Sequence, residues 1–119
     1  MSKDILAELY QVLQARKSSD PEASYVSSLY AKGVRKMAEK IEEEARELIE
    51  EGYALEKSQT NQDIRDRLTN EAADLLFHTF VLMSFFDIPP VAALDILEKR
   101  FGTGGHTEKA SRTPGKSEI

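Results

Sequence analysis

Glu43, Glu44 and Glu47 form an EExxE motif, and after a gap of 23 residues (48–70) Glu71 and Asp74 form an ExxD motif. The first motif lies inside EEEARELIEEG, residues 42–52, where six of eleven residues are glutamate. Carboxylates three residues apart on a helix project from one side, about one turn apart. Such pairs suit oxygen ligation of a divalent cation or proton transfer. An acidic run is more often only the solvated face of a helix, so the decision rests on its surroundings.

With Glu44 as origin and about 100° per residue, Met37, Ile41, Ala45 and Leu48 fall between about +20° and +100°. Lys40 lies near about −40° and Glu47 near about −60°, while Glu39, Glu42, Arg46 and Glu50 point to the opposite side. The run therefore divides: Glu42 and Glu50 read as surface residues, and Glu44 and Glu47 border the apolar stripe. The second motif stands on a different background. Leu68, Ala72, Leu75, Leu76, Phe77, Phe80, Val81, Leu82, Met83, Phe85 and Phe86 cover nearly the whole circumference of one helix, which is expected to be central and most buried. On it, Glu71, Asp74 and His78 share a sector about 60° wide.

A polar trio on an apolar helix needs partners, because an unpaired buried carboxylate is expensive. Lys40, Arg65 or Arg67 would satisfy one carboxylate as a structural ion pair. If the two helices pack together, however, Glu44, Glu47, Glu71 and Asp74 converge with too few cations to neutralise them. Crowded like charges stay ionised only when a cation joins them. An all-oxygen ligand set suits Mg2+, with Mn2+ as a substitute, and the chain offers neither cysteine nor clustered histidine for a softer metal.

The elements that must position these residues follow from periodicity. Ile5, Leu6, Leu9, Val12 and Leu13 predict a first helix over residues 3–16. SSDPEAS (18–24) is a loop, and from SYVSSLYAKG (24–33) a second, longer helical pattern runs to Leu55. SQTNQD (58–63) breaks it, with Thr60 or Asn61 as N-cap of a third helix over 62–86. Ile88-Pro89-Pro90 ends the third helix, and a fourth covers 90–101. The expected architecture is an all-α four-helix bundle forming one domain over residues 1–101. Residues 102–119 form a polar tail, expected to be mobile without ligand.

The 119 residues carry 21 acidic and 16 basic side chains, a net charge of −5. That balance excludes a basic nucleic-acid surface. The longest apolar stretch, residues 72–86, is shorter than the ~20 residues of a membrane span and contains Asp74 and His78. No signal-peptide core is present near the N-terminus, and the absence of cysteine fits a reducing compartment. The expectation is a soluble, cytoplasmic protein.

The EExxE…ExxD pattern resembles the signature of the MazG-like all-α nucleotide pyrophosphohydrolases. SYVSSLYAKG (24–33), KIEEEARE (40–47), EAADLLFH (71–78) and GTGGHTEKASR (102–112) narrow the resemblance to the phosphoribosyl-ATP pyrophosphatase family, over about residues 4–112. Glu42 and Arg46 replace the small residues common there, both on the solvent side. The resemblance implies Mg2+-dependent hydrolysis of phosphoribosyl-ATP to phosphoribosyl-AMP and pyrophosphate, a step of histidine biosynthesis. It also implies roles. Glu44, Glu47, Glu71 and Asp74 would hold the metal. One of them, or Glu43, would orient or deprotonate the attacking water. Lys32, Lys36 and Lys40 would meet phosphate oxygens, with snorkelling surface lysines as the plain alternative. Tyr25 would stack on the base or simply pack, as Tyr30 is expected to do. His78 would either be a hydrogen-bonded core histidine or orient the acids from behind. His106 has no partner pattern.

Two rivals stand beside this reading. A house-cleaning nucleoside triphosphate pyrophosphohydrolase would share the metal chemistry, and a non-catalytic helical dimerisation module would carry the acids as decoration. A di-iron bundle would need two Glu-x-x-His pairs, which the chain lacks. Short first and fourth helices cannot cover an apolar third helix, so some of Phe77, Phe80, Phe85 and Phe86 should stay wet in a monomer, and a homodimer is expected.

Overall fold

A computed structural model describes residues 3–102, so the expectations for the tail beyond, including His106, lie outside the described residues. The elements are α1 (Lys3–Ala15), a 3-10 turn (Arg16–Ser18), α2 (Tyr25–Lys32), α3 (Val34–Lys57), α4 (Gln62–Phe85) and α5 (Val91–Phe101), with no strand among the described residues. The all-α expectation holds, with one helix more than periodicity suggested.

The extra helix is made by Gly33. The pattern expected to run unbroken from 25 to Leu55 divides there, at φ +89° and ψ −175°. Residues with a Cβ pay heavily for that region. The Gly33 N–H closes α2 on the Leu29 carbonyl at 3.0 Å, and its own carbonyl accepts from Lys36 and Met37 at 3.1 and 3.3 Å. An added Cβ would meet nothing within 4 Å, so the demand for glycine is conformational rather than steric.

Polar caps fix the starts of α2 and α4. Ser24 caps α2 by accepting from the Ser27 N–H at 3.0 Å, and the Ser27 hydroxyl donates to the Arg16 carbonyl at 3.1 Å. Asn61 caps α4 by accepting from the Ile64 N–H at 3.1 Å, which selects it over Thr60. The break at 58–61 is short, so α3 and α4 fold back on each other as a long antiparallel hairpin.

Leu6 and Leu13 of α1, Val26 and Leu29 of α2, Met37 of α3, and Phe80 and Val81 of α4 make the core, with Leu94 of α5 packed at its margin. Burying each of these side chains contributes about 1.5–3 kcal/mol. Gln14 donates to the Ser84 carbonyl at 3.0 Å and Lys17 to the Phe85 carbonyl at 3.2 Å, tying the end of α1 to the end of α4.

The C-terminal half of α4 is central, as its apolar circumference requires: His78, Phe80, Val81 and Ser84 are buried. Its N-terminal half packs on α3. A 24-residue helix spans about 36 Å, and the 13-residue α1 is little more than half as long. Leu76, on the C-terminal half, is nevertheless 55 % exposed, on a face that no other helix covers. No helix among the described residues is long and apolar enough to cross a membrane.

Candidate active site

The α3–α4 hairpin brings both acidic motifs together. Glu43, Glu44 and Glu47 each place an oxygen within 4.8 Å of the others, and Glu44, Glu71 and Asp74 do the same. Glu44 belongs to both groups and is buried, 7 % exposed, with Oε2 lacking any hydrogen-bond partner. Glu42 and Glu50 are exposed, as the helical wheel requires.

Five carboxylates thus meet around Glu44, with Lys40 as the ammonium beside them: its Nζ lies 3.0 Å from Glu43 Oε2 and 4.0 Å from Glu44 Oε1. Burial pushes the Glu44 carboxyl up to about 7, helped by Glu47, close enough to share its proton, and by the charges of Glu47, Asp74 and Glu71. Glu71 is raised as well, by desolvation and then by Glu47. Glu43 is lowered, because the Lys40 hydrogen bond favours its ionised form.

The arginines considered as structural partners go elsewhere. Arg65 donates to the Gln59 carbonyl at 3.1 Å, and Arg67 Nε bridges both Glu51 oxygens at 3.2 Å. Glu51 is the neighbour of the site that the motif reading missed. It follows Glu44 by seven and Glu47 by four, which puts it on the same helical face as those two, and its charge helps raise Glu71. Lys36 turns to Glu39 at 3.4 Å, and Lys32 is exposed at the last turn of α2, paired with none of the acids.

Behind the acids stands His78. Its Nδ1 lies 2.8 Å from the Asp74 carbonyl oxygen, and its Nε2 lies 2.7 Å from the Tyr25 hydroxyl. His78 is thus a buried, hydrogen-bonded histidine that touches the backbone of Asp74. Tyr30 packs on Phe85 with ring centroids 5.7 Å apart, as expected of a packing residue.

The donor set fits a hard divalent cation. Every ligand candidate is a carboxylate, and oxygens on opposite sides of such a cation stand about 4–5 Å apart. The unpartnered, buried Glu44 Oε2 is a further sign, since a buried acceptor without donor or cation is costly.

The family described as phosphoribosyl-ATP pyrophosphohydrolase matches residues 6–101. A phosphoribosyl-ATP pyrophosphatase of Hydrogenovibrio crunogenus is 45 % identical over 113 residues, covering 95 % of this chain and 96 % of the relative. One of Geobacter sulfurreducens is 45 % identical over 109 residues, covering 92 % and 94 %. The family match spans the helices that build the acidic site, and the chain belongs to the phosphoribosyl-ATP pyrophosphohydrolase family.

Proposed function

We propose that the chain hydrolyses the α–β phosphoanhydride of phosphoribosyl-ATP, leaving phosphoribosyl-AMP and releasing pyrophosphate, the second step of histidine biosynthesis. The observation that supports it most is the convergence of four carboxylates on a fifth, Glu44, in a chain of this family. Glu44, Glu47, Glu71 and Asp74 would hold Mg2+. When bound, Mg2+ polarises a phosphoryl oxygen and favours deprotonation of water. Glu43, kept ionised by Lys40, orients the attacking water at the edge of the cluster. Lys40 then covers phosphate oxygens at the same edge, while Lys36 and Lys32 meet the triphosphate farther out. The substrate is a metabolite of the cell interior, which makes the enzyme cytoplasmic.

Turnover of phosphoribosyl-ATP, ATP and dUTP, side by side in Mg2+ and in EDTA, tests this. Pyrophosphate should leave phosphoribosyl-ATP much faster than ATP or dUTP, and EDTA should stop the reaction. Equal rates on the three would favour a house-cleaning enzyme. Indifference to metal would favour a non-catalytic helical module.

The exposed apolar side chains support a homodimer. Leu76 of α4 and Ile49 of α3 are each 55 % exposed, Tyr53 66 % and Phe86 57 %, apolar surface that a partner could cover. Light scattering at micromolar concentration should return the mass of two chains, and a single chain's mass would end the idea.

A further inference from the structure

We propose that Tyr25 is a positioning residue for the acidic cluster, acting through His78 rather than by touching substrate. The proposal rests on the function just given and deepens it.

Proton bookkeeping at the histidine fixes the direction of the chain of hydrogen bonds. The Asp74 carbonyl can only accept, so His78 Nδ1 carries the hydrogen in the 2.8 Å contact. Nε2 of that tautomer is a bare acceptor, and the Tyr25 hydroxyl donates to it at 2.7 Å. The phenol keeps its proton for this purpose. Burial raises its pKa, and Glu44, Glu43 and Asp74 add to that against the opposing Lys40. The imidazole is held in orientation too. Tyr25 meets it edge-on at 5.7 Å and 85°, and Phe77 at 5.3 Å and 89°.

The fixed carbonyl belongs to the turn of α4 that carries both Glu71 and Asp74. That turn packs on α3, whose own acids repel it, so the hairpin alone has reason to splay at this level. The Tyr25–His78 bond reaches the turn from α2, outside the hairpin. α2 is itself anchored: Ser24 caps it, the Ser27 hydroxyl bonds Arg16, buried Leu29 holds it in the core, and Gly33 sets its angle to α3. A group that fixes the orientation of ligand carboxylates from behind maintains the spacing a cation needs.

Tyr25→Phe tests this, because the ring stays and only the hydroxyl is lost. Losing a partner behind the ligands typically costs 10–100-fold in metal affinity or activity. For Tyr25→Phe, kcat on phosphoribosyl-ATP in Mg2+ should fall about tenfold, KM should stay within about twofold, and Mn2+ titrated into the metal-free protein should bind about tenfold more weakly. In a His78→Gln background, Tyr25→Phe should add no further loss. A raised KM at unchanged kcat would mean that Tyr25 touches substrate, and would overturn the proposal. So would losses that multiply in the double variant, or unchanged Mn2+ affinity. If His78→Gln does not fold, the kcat and KM split and the Mn2+ titration of Tyr25→Phe decide alone. If wild type binds Mn2+ but leaves phosphoribosyl-ATP intact, the proposed function fails while the Mn2+ titration still judges Tyr25.

Discussion

Glu71→Gln should lower turnover of phosphoribosyl-ATP at least about a hundredfold, yet leave the metal-free protein as stable as wild type or more so. The two effects are opposite because the carboxylate is useful only with its cation. Without metal, Glu71 stands among Glu47, Asp74, Glu44 and Glu51, and desolvation followed by the Glu47 charge raises its pKa. A carboxyl whose folded pKa lies above its unfolded one destabilises the fold once it ionises, so at neutral pH the neutral glutamine relieves repulsion. With Mg2+, the same substitution removes a ligand and the attraction that offset the repulsion. Glu50→Gln is the control: Glu50 points to solvent, and its change should stay within about 0.5 kcal/mol of wild type under both conditions. A structural ion pair at Glu71 predicts the reverse, a less stable metal-free protein that is indifferent to Mg2+. Melting curves of both variants in EDTA and in Mg2+ separate the cases. The shared-cation reading is lost if Glu71→Gln melts lower than wild type in EDTA and gains as much from Mg2+.

The positions of these acids could be read from the sequence because they depend on helical rotation, which is local. The wheel that set Glu44 against the core and Glu42 and Glu50 in water needed only about 100° per residue. Asn61 as a cap and the stop at Pro89-Pro90 are equally local. The break at Gly33 was harder to read, since a glycine inside a helical pattern signals lost propensity and not a particular φ. Contacts across the fold were harder still. Tyr25 and His78 are 53 residues apart, and no spacing rule pairs them. Arg67 was available to several acids, and only the packing of α3 on α4 gives it Glu51. Lys36 shares the sector of Lys40, but its long side chain reaches Glu39 instead, a choice made by solvent and rotamer rather than by the wheel. Sequence periodicity therefore located the carboxylates, while the side chains that pair with their neighbours emerged from tertiary structure.

The largest stability effect should come from Glu44, and it should depend on pH. Its carboxyl rises from an ordinary 4.5 to about 7 in the folded chain, first through burial and then through Glu47, Asp74 and Glu71. The folded state therefore binds this proton more tightly than the unfolded state. The associated stability is present in full below about 4.5 and is lost as pH rises through about 7. At about 1.4 kcal/mol per pKa unit, the metal-free protein should lose on the order of 3 kcal/mol across that window. The raised Glu71 acts in the same direction. Glu43 and Asp87, held low by Lys40 and Lys17, act in the opposite direction but chiefly at lower pH, where they begin to protonate. Bound Mg2+ should invert the slope. It competes with the proton for the same oxygens, so its stabilisation grows as the acids ionise. Glu44→Gln should flatten both curves, making the protein more stable than wild type at pH 8 in EDTA and less responsive to Mg2+. Urea midpoints from pH 4.5 to 8, with EDTA and with Mg2+, measure all four curves. If wild type and Glu44→Gln run parallel in EDTA, the buried carboxylate is not under strain, and Glu44 is not the residue at which the two acidic motifs meet their cation.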